Sequence, residues 1–113
     1  MQKPVDIQAT DINSGSITIK WGDVNVDVPY TFIVVCSRVT DSSNEEVHRY
    51  EVDGTECKCT DLEPNTCYEF TVSSYHNGQQ SEGCSVRAET TGKNTFLKII
   101  FMMAIILYTT RRR

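Results

Sequence analysis

The sequence predicts an all-β fold, an antiparallel β-sandwich of seven strands, and three observations support that prediction. Short segments alternate apolar and polar residues, which is the period of a strand with one buried face. Turn residues separate these segments about every eight to twelve positions. No segment has the apolar period of a helix. With 113 residues and 39% hydrophobic side chains, the chain can form one domain with a hydrophobic core.

The first two strands are predicted near 5–10 and 16–21. Apolar residues take every second position in the first strand, and an Asn-Ser-Gly turn signal follows it. The second strand alternates strictly, so Ile17, Ile19 and Trp21 share one face. That face is expected to lie in the core.

The third and fourth strands are predicted near 30–38 and 46–52, after a loop over 22–29. The third strand is apolar on both faces, which is typical of a central strand whose outer face is partly covered. The fourth strand is mostly polar. We therefore expect it at the edge of a sheet.

The last three strands are predicted near 55–62, 66–75 and 84–91. An Asp-Gly pair marks the turn before the fifth strand, and the sixth alternates apolar and polar residues. The segment 76–83 is predicted to be a hairpin loop before the last strand.

A corner is predicted where the fifth strand gives way to the sixth. Leu62 ends an apolar strand, and Pro64 fixes the backbone angle of the turn that follows. Tyr68 can bury its ring and return its hydroxyl to the backbone just upstream, which would close the corner between two sheets.

This L-x-P-x-T-x-Y corner, with Trp21 ending the second strand, resembles the fibronectin type III module over about residues 3–91. The resemblance implies an immunoglobulin-like sandwich of seven strands that serves mainly for recognition. The strand sequences are most similar to modules of receptor-type tyrosine phosphatase ectodomains. We accordingly assign residues 1–92 to the domain and residues 93–113 to a separate tail.

Charge is divided unevenly between these two parts. Residues 1–92 hold six Lys and Arg against fifteen Asp and Glu, whereas residues 93–113 hold five basic residues and no acid. A balance of −9 leaves the domain without the basic surface that phosphates require. Nucleic acid is therefore not an expected partner.

The tail contains an apolar run over 96–108, interrupted by Lys98 and followed by three arginines at 111–113. A membrane-spanning helix needs about twenty apolar residues, and this run has thirteen. Two interpretations stay open: membrane association through 96–108, with the arginines on the cytoplasmic side, or an end that has no evolved role or packs on the sandwich.

Five cysteines in so short a chain favour an oxidising compartment. We therefore expect an extracellular or cell-surface location, although no signal peptide is visible after Met1. Alternation places Cys36 and Cys59 on core faces near the corner, which makes them the candidate pair for a disulfide. Cys84 is the candidate for an unpaired thiol.

No constellation of residues predicts catalysis. His48 and His76 fall on different elements and no G-x-S-x-G motif accompanies them. The Asp23-x-Asn25-x-Asp27 pattern starts like a calcium loop but lacks the glycine at its sixth position. We predict no enzymatic activity, no cofactor, no metal and no small-molecule substrate.

The function predicted from the sequence is protein recognition or adhesion by a module of an extracellular or cell-surface receptor-type protein. Loops at one end of a sandwich can vary while the strands hold them in place. On this chain that end would present the loops 22–29, 53–55 and 76–83. The candidate partner-binding residues lie in the first and the last of these loops: Asp23, Asn25, Asp27, Asn77, Gly78, Gln79 and Gln80. Two alternatives stay open: a structural spacer without a ligand, and a single module tethered to a membrane by its tail.

Overall fold

The structure, a computed structural model, describes residues 2–23 and 30–92 and contains eight β-strands over those ranges. The strands are β1 (Val5–Thr10), β2 (Ile17–Gly22), β3 (Thr31–Val39), β4 (Asn44–Val52), β5 (Glu56–Cys59), β6 (Cys67–His76), β7 (Gln79–Gln80) and β8 (Cys84–Glu89). No helix occurs in these ranges. The predicted all-β fold is confirmed.

Two antiparallel sheets form the sandwich. The smaller sheet has the order β1-β2-β5, and the larger has the order β4-β3-β6, with both β7 and β8 paired to β6. β4 is an edge strand, as its polar sequence predicts, and β3 is central. The two central strands of the larger sheet therefore carry most of the cross-strand contacts.

The core lies between the two sheets and consists of alternate residues from four strands. Its members are buried and largely apolar: Ile17, Ile19, Trp21, Phe32, Val34, Cys36, Cys57, Cys59, Leu62, Tyr68, Phe70 and Val72. Burial of each large apolar side chain contributes about 1.5–3 kcal/mol relative to leaving it exposed. Strict alternation in β2, β3 and β6 thus fixes which face of each sheet is inside.

The strand count differs from the predicted seven because β6 continues into a tight hairpin. Asn77 and Gly78 have φ angles of 49° and 79°, and β7 pairs directly with the end of β6. A two-residue turn with both central residues at positive φ matches the twist of the strands that it joins. The predicted loop over 76–83 therefore contains a short strand.

The fifth strand is also shorter than predicted, because it ends at Cys59 rather than near residue 62. Leu62 leaves the sheet, and its backbone N–H donates to the carbonyl of Gly15 at 3.0 Å. Its side chain still reaches the core. The segment after Cys59 is accordingly part of the corner and not of the sheet.

The tail 93–113, with the apolar run over 96–108, lies outside the described residues, as do Asn25 and Asp27. In the part of the chain that is described, no helix is long and apolar enough to cross a membrane.

Candidate functional site at one end of the sandwich

Three connections meet at one end of the sandwich. Thr31 at the start of β3 pairs with Tyr75 near the end of β6, and Phe32 pairs with Val52 at the end of β4. The backbone N–H of Trp21, near the end of β2, donates to the carbonyl of Thr55 at 3.1 Å. We call this region the loop end and define it as residues 22–23, 30–31, 51–55 and 75–78.

An open cleft of about 350 Å³ lies at the loop end. Its lining residues lie on β3, β4 and β6, just before β3, or just after β4 and β6. They are Tyr30, Thr31, Glu51, Asp53, Tyr75, His76 and Asn77. Two aromatic rings, two carboxylates and an imidazole therefore surround one cavity.

The register of the sheet explains why a cleft forms there. Residues directly opposite each other on neighbouring strands share a face, so Thr31 and Tyr75 both point to the outer face. On the other side of β3, Asp53 follows the end of β4 next to the Thr31 position, and Glu51 pairs with Ile33. Because threonine is short, it leaves a depression between a tyrosine on one side and two acids on the other.

The carboxylates of this cleft have no cationic partner. Among the residues that the structure describes, the ion pairs are Lys20–Glu56, Arg38–Glu45, Arg38–Glu63, Arg49–Glu46 and Arg87–Glu69. Glu51 and Asp53 are exposed and belong to none of them. The lining residues that the structure describes include two acids and no Lys or Arg, so this lining is acidic.

Aromatic contacts connect the cleft to the core. The ring of Tyr30 meets Phe32 edge-on at 5.4 Å between centroids, and Phe32 meets Trp21 in the same way at 5.3 Å. The hydroxyl of Tyr30 donates to the carboxylate of Asp23. Such edge-to-face pairs add about 0.5–1.5 kcal/mol beyond the area that they bury, so this wall of the cleft is firmly held.

The opposite end of the sandwich has a different character. We call it the corner end and define it as residues 38–45, 60–66 and 89–91. The hydroxyl of the buried Tyr68 accepts the backbone N–H of Glu63 at 2.8 Å. The hydroxyl of Thr90, which is also buried, accepts the N–H of Thr66 at 3.0 Å and donates to the carbonyl of Glu63.

The other residues of the sequence motif lie where this network needs them. Trp21 and Leu62 are in the core, while Pro64 is exposed and its carbonyl accepts the Thr66 hydroxyl. At the surface of the corner end, Arg38 bridges Glu45 and Glu63, and these carboxylates raise the pKa of its guanidinium.

The predicted partner-binding residues are divided between different environments. Asp23 and Asn77 are exposed at the loop end, and Asn77 lines the cleft. Gly78 completes the tight turn. Gln79 and Gln80 are not loop residues: they form β7, and the Gln80 side chain donates to the Ser73 hydroxyl at 2.7 Å. These two residues are therefore part of the sheet.

Sequence reasoning missed four lining residues of the cleft: Tyr30, Thr31, Glu51 and Tyr75. Each lies in or beside a predicted strand, and strand residues were expected to pack rather than to bind. The available signal was the alternation of β4 and β6, which places Glu51 and Tyr75 on the outward face of each strand.

The predicted disulfide between Cys36 and Cys59 is not confirmed, because all five cysteines are free thiols in the structure. Cys57 and Cys59 face the same way on β5 and share a side-chain hydrogen bond, so Cys59 has a partner on its own strand. That hydrogen bond, followed by burial, raises the pKa of Cys59. The same hydrogen bond lowers the pKa of Cys57.

Cys36 faces these two thiols from the larger sheet. Burial, and to a lesser extent the nearby Cys57, raise the pKa of the Cys36 thiol to about 12. Cys36 is therefore protonated at neutral pH and behaves as a small apolar core residue. Cys67 and Cys84 are half-buried on β6 and β8.

Comparisons with known proteins agree with this geometry. The model of the fibronectin type III domain matches residues 2–90. The FN5 domain of Drosophila Lar is 26% identical with a TM-score of 0.59, and the similarity covers 79% of this chain and 95% of that one. A computationally redesigned β-sandwich protein is also 26% identical, with a TM-score of 0.68 over 81% of this chain and 92% of that one.

The fn3 domain of the human collagen alpha-1(XX) chain has the same fold. It is 22% identical with a TM-score of 0.66, over 81% of this chain and 86% of that one. A sequence comparison with curated proteins gives no match.

Proposed function

Because this chain belongs to the fibronectin type III family, we propose that it is a protein-recognition module of an extracellular or cell-surface protein and that it binds its partner through the loop end. Members of the family occur in cell-surface and extracellular proteins and are generally not catalytic. A receptor or adhesion role for the parent protein is part of the same proposal.

The difference between the two ends of the sandwich carries this proposal. At the corner end, hydroxyl groups and arginines satisfy backbone and carboxylate groups within the domain. At the loop end, Glu51, Asp53 and Tyr75 surround a cavity and have no side-chain hydrogen bond or ion pair in the described ranges. Polar groups without internal partners beside half-buried aromatic rings are typical of a surface that recognises another protein.

The proposal can be tested with the full-length chain and a panel of purified extracellular proteins. Replacing three cleft residues together (Asp53→Ala, Tyr75→Ala and Asn77→Ala) should abolish binding of any partner found. Three alanines at the corner end (Asp41→Ala, Ser42→Ala and Glu89→Ala) form the control and should leave the affinity unchanged. All six positions are exposed or half-buried, so both variants are expected to fold.

Binding that survives the loop-end triple variant would contradict the assignment of the site. Thermal unfolding of each variant, followed by the fluorescence of Trp21, shows that a loss of binding does not come from a loss of the fold.

A structural spacer is the second candidate function, and the free thiols favour it. Secreted domains of this size commonly contain disulfides, whereas all five cysteines here are free. Counting thiols in the denatured full chain distinguishes the two functions, because denaturation exposes Cys36 and removes the burial that raises its pKa. Five thiols and no partner in the panel would support the spacer, and two disulfide bridges would exclude a spacer located in the cytosol.

A further inference from the structure

We propose that the loop-end cleft binds an arginine side chain of the partner protein. This inference rests on the proposed function, since it assigns the chemistry of the ligand at the same site. Three properties of the cleft carry it: the shape of its floor, its unpaired charge and its aromatic wall.

The size of the cleft suits a single side chain of a partner. Thr31 forms the floor, with Tyr75 on the neighbouring β6 and Asp53 beyond the end of β4 on either side. The volume of about 350 Å³ lies near the lower limit of ligand pockets, which hold about 300–1,000 Å³. A single inserted side chain with part of its backbone therefore suits the cleft better than a large flat surface.

The charge of the cleft selects a cation. Glu51 and Asp53 are both exposed and belong to none of the ion pairs of the described residues. Among the described lining residues, His76 with its imidazole is the only basic one. Residues 1–92 have a balance of −9, so the long-range field of the domain also attracts cations. An acidic ligand would meet repulsion at every step of its approach.

The aromatic wall selects arginine over lysine. A guanidinium is planar and can stack on a tyrosine ring while its N–H groups reach a carboxylate on the opposite side. Tyr75 provides such a ring, and Glu51 and Asp53 provide acceptors across Thr31. Charge-assisted hydrogen bonds of this kind are about twice as strong as neutral ones. Lysine has a compact charge and could not use the ring and both acids in the same way.

The experiment is an NMR titration of the full chain, labelled with 15N, with three blocked tripeptides. They are acetyl-Gly-Arg-Gly-amide, the same peptide with citrulline, and the same peptide with lysine. Citrulline keeps the shape of arginine and removes its charge. We expect the arginine peptide to shift the amide signals of Thr31, Asp53 and Tyr75, and to bind about tenfold more tightly than citrulline.

Matched variants locate the effect. Glu51→Gln with Asp53→Asn removes the two charges at almost constant shape, and should weaken the arginine peptide about tenfold or more. Asp41→Asn with Glu89→Gln makes the same change at the corner end and should have no effect. Tyr75→Phe keeps the ring and should retain binding, whereas Tyr75→Leu should lose it.

Three results would overturn the inference: equal binding of arginine and citrulline, equal binding of arginine and lysine, or an arginine affinity that the Glu51→Gln and Asp53→Asn changes leave intact. Absence of any shift would overturn it as well. The proposed function is tested separately, because it requires only that alanines at Asp53, Tyr75 and Asn77 abolish binding of a protein partner. If binding of a partner depends on those three positions but not on the charges of Glu51 and Asp53, the proposed function holds and the arginine inference fails.

Discussion

The two ends of the sandwich are built from the same strands and differ in what their side chains do. At the corner end, Tyr68 and Thr90 use their hydroxyls to satisfy the backbone of the turn around Glu63. At the loop end, Tyr75 and Asp53 line an open cleft and make no such bond in the described part of the chain. The corner end closes the fold, and the loop end leaves the polar groups of Tyr75 and Asp53 available.

This difference separates stability from binding within a small domain. A buried donor or acceptor without a partner costs about 1–3 kcal/mol, so the corner cannot change freely. Exposed groups at the loop end lose nothing by being unpaired, because water satisfies them. Substitutions at the loop end should therefore change recognition at little cost in stability, and substitutions at the corner should do the reverse.

The largest loss of stability is expected for a substitution in the hydrophobic core, on which both ends of the sandwich depend. Trp21→Ala should lower the free energy of unfolding by about 3–5 kcal/mol, because the buried indole packs against Phe32 and leaves a cavity. Urea unfolding followed by circular dichroism measures this loss. A change below about 1 kcal/mol would show that the indole does not hold the sheets together.

Two glycine-to-alanine substitutions test whether each position has room for a side chain. A Cβ at Gly83 would lie 2.4 Å from Cγ2 of Thr71, whereas a Cβ at Gly54 in the loop end would meet nothing within 4 Å. Gly83→Ala should therefore cost about 1–3 kcal/mol of unfolding free energy. Gly54→Ala is the control and should leave that free energy within about 0.5 kcal/mol. Equal losses of unfolding free energy for the two alanines would contradict the close approach of Gly83 to Thr71 on β6.

A smaller cost is expected from Gly78, a loop-end position where backbone geometry restricts the sequence. Its φ of 79° is strained for any residue with a Cβ, although there is ample space around it. Gly78→Ala should destabilise the chain by about 1 kcal/mol, measured in the same urea experiment. Stabilisation by this alanine would mean that the hairpin does not adopt the tight turn in solution.

The fold could be predicted from the sequence because its signals are local. Alternation in the segment around Ile17 and Trp21 identifies a strand and its buried face, and the turn before Tyr68 identifies the corner. The short β7 was also within reach, since Asn77-Gly78 is a strong signal for a two-residue hairpin turn.

The cleft could not be predicted in this way. It depends on register, which brings Thr31 opposite Tyr75 and near Asp53 although these residues are distant in sequence. The predicted disulfide likewise depends on distances that the sequence pattern does not give. Alternation places Cys36 and Cys59 on core faces but does not state which sulfur is nearest, and Cys59 has its hydrogen-bonded neighbour at Cys57.

Removal of one hydroxyl from each end tests the central claim most directly. Tyr68→Phe deletes the acceptor of the Glu63 N–H and should lower the free energy of unfolding by about 1 kcal/mol. Tyr75→Phe deletes the same atom from a tyrosine that makes no side-chain hydrogen bond among the described residues. This substitution should change the free energy of unfolding by less than about 0.5 kcal/mol. Equal losses, or a larger loss for Tyr75→Phe, would contradict the assignment of stability to the corner end and of binding to the loop end.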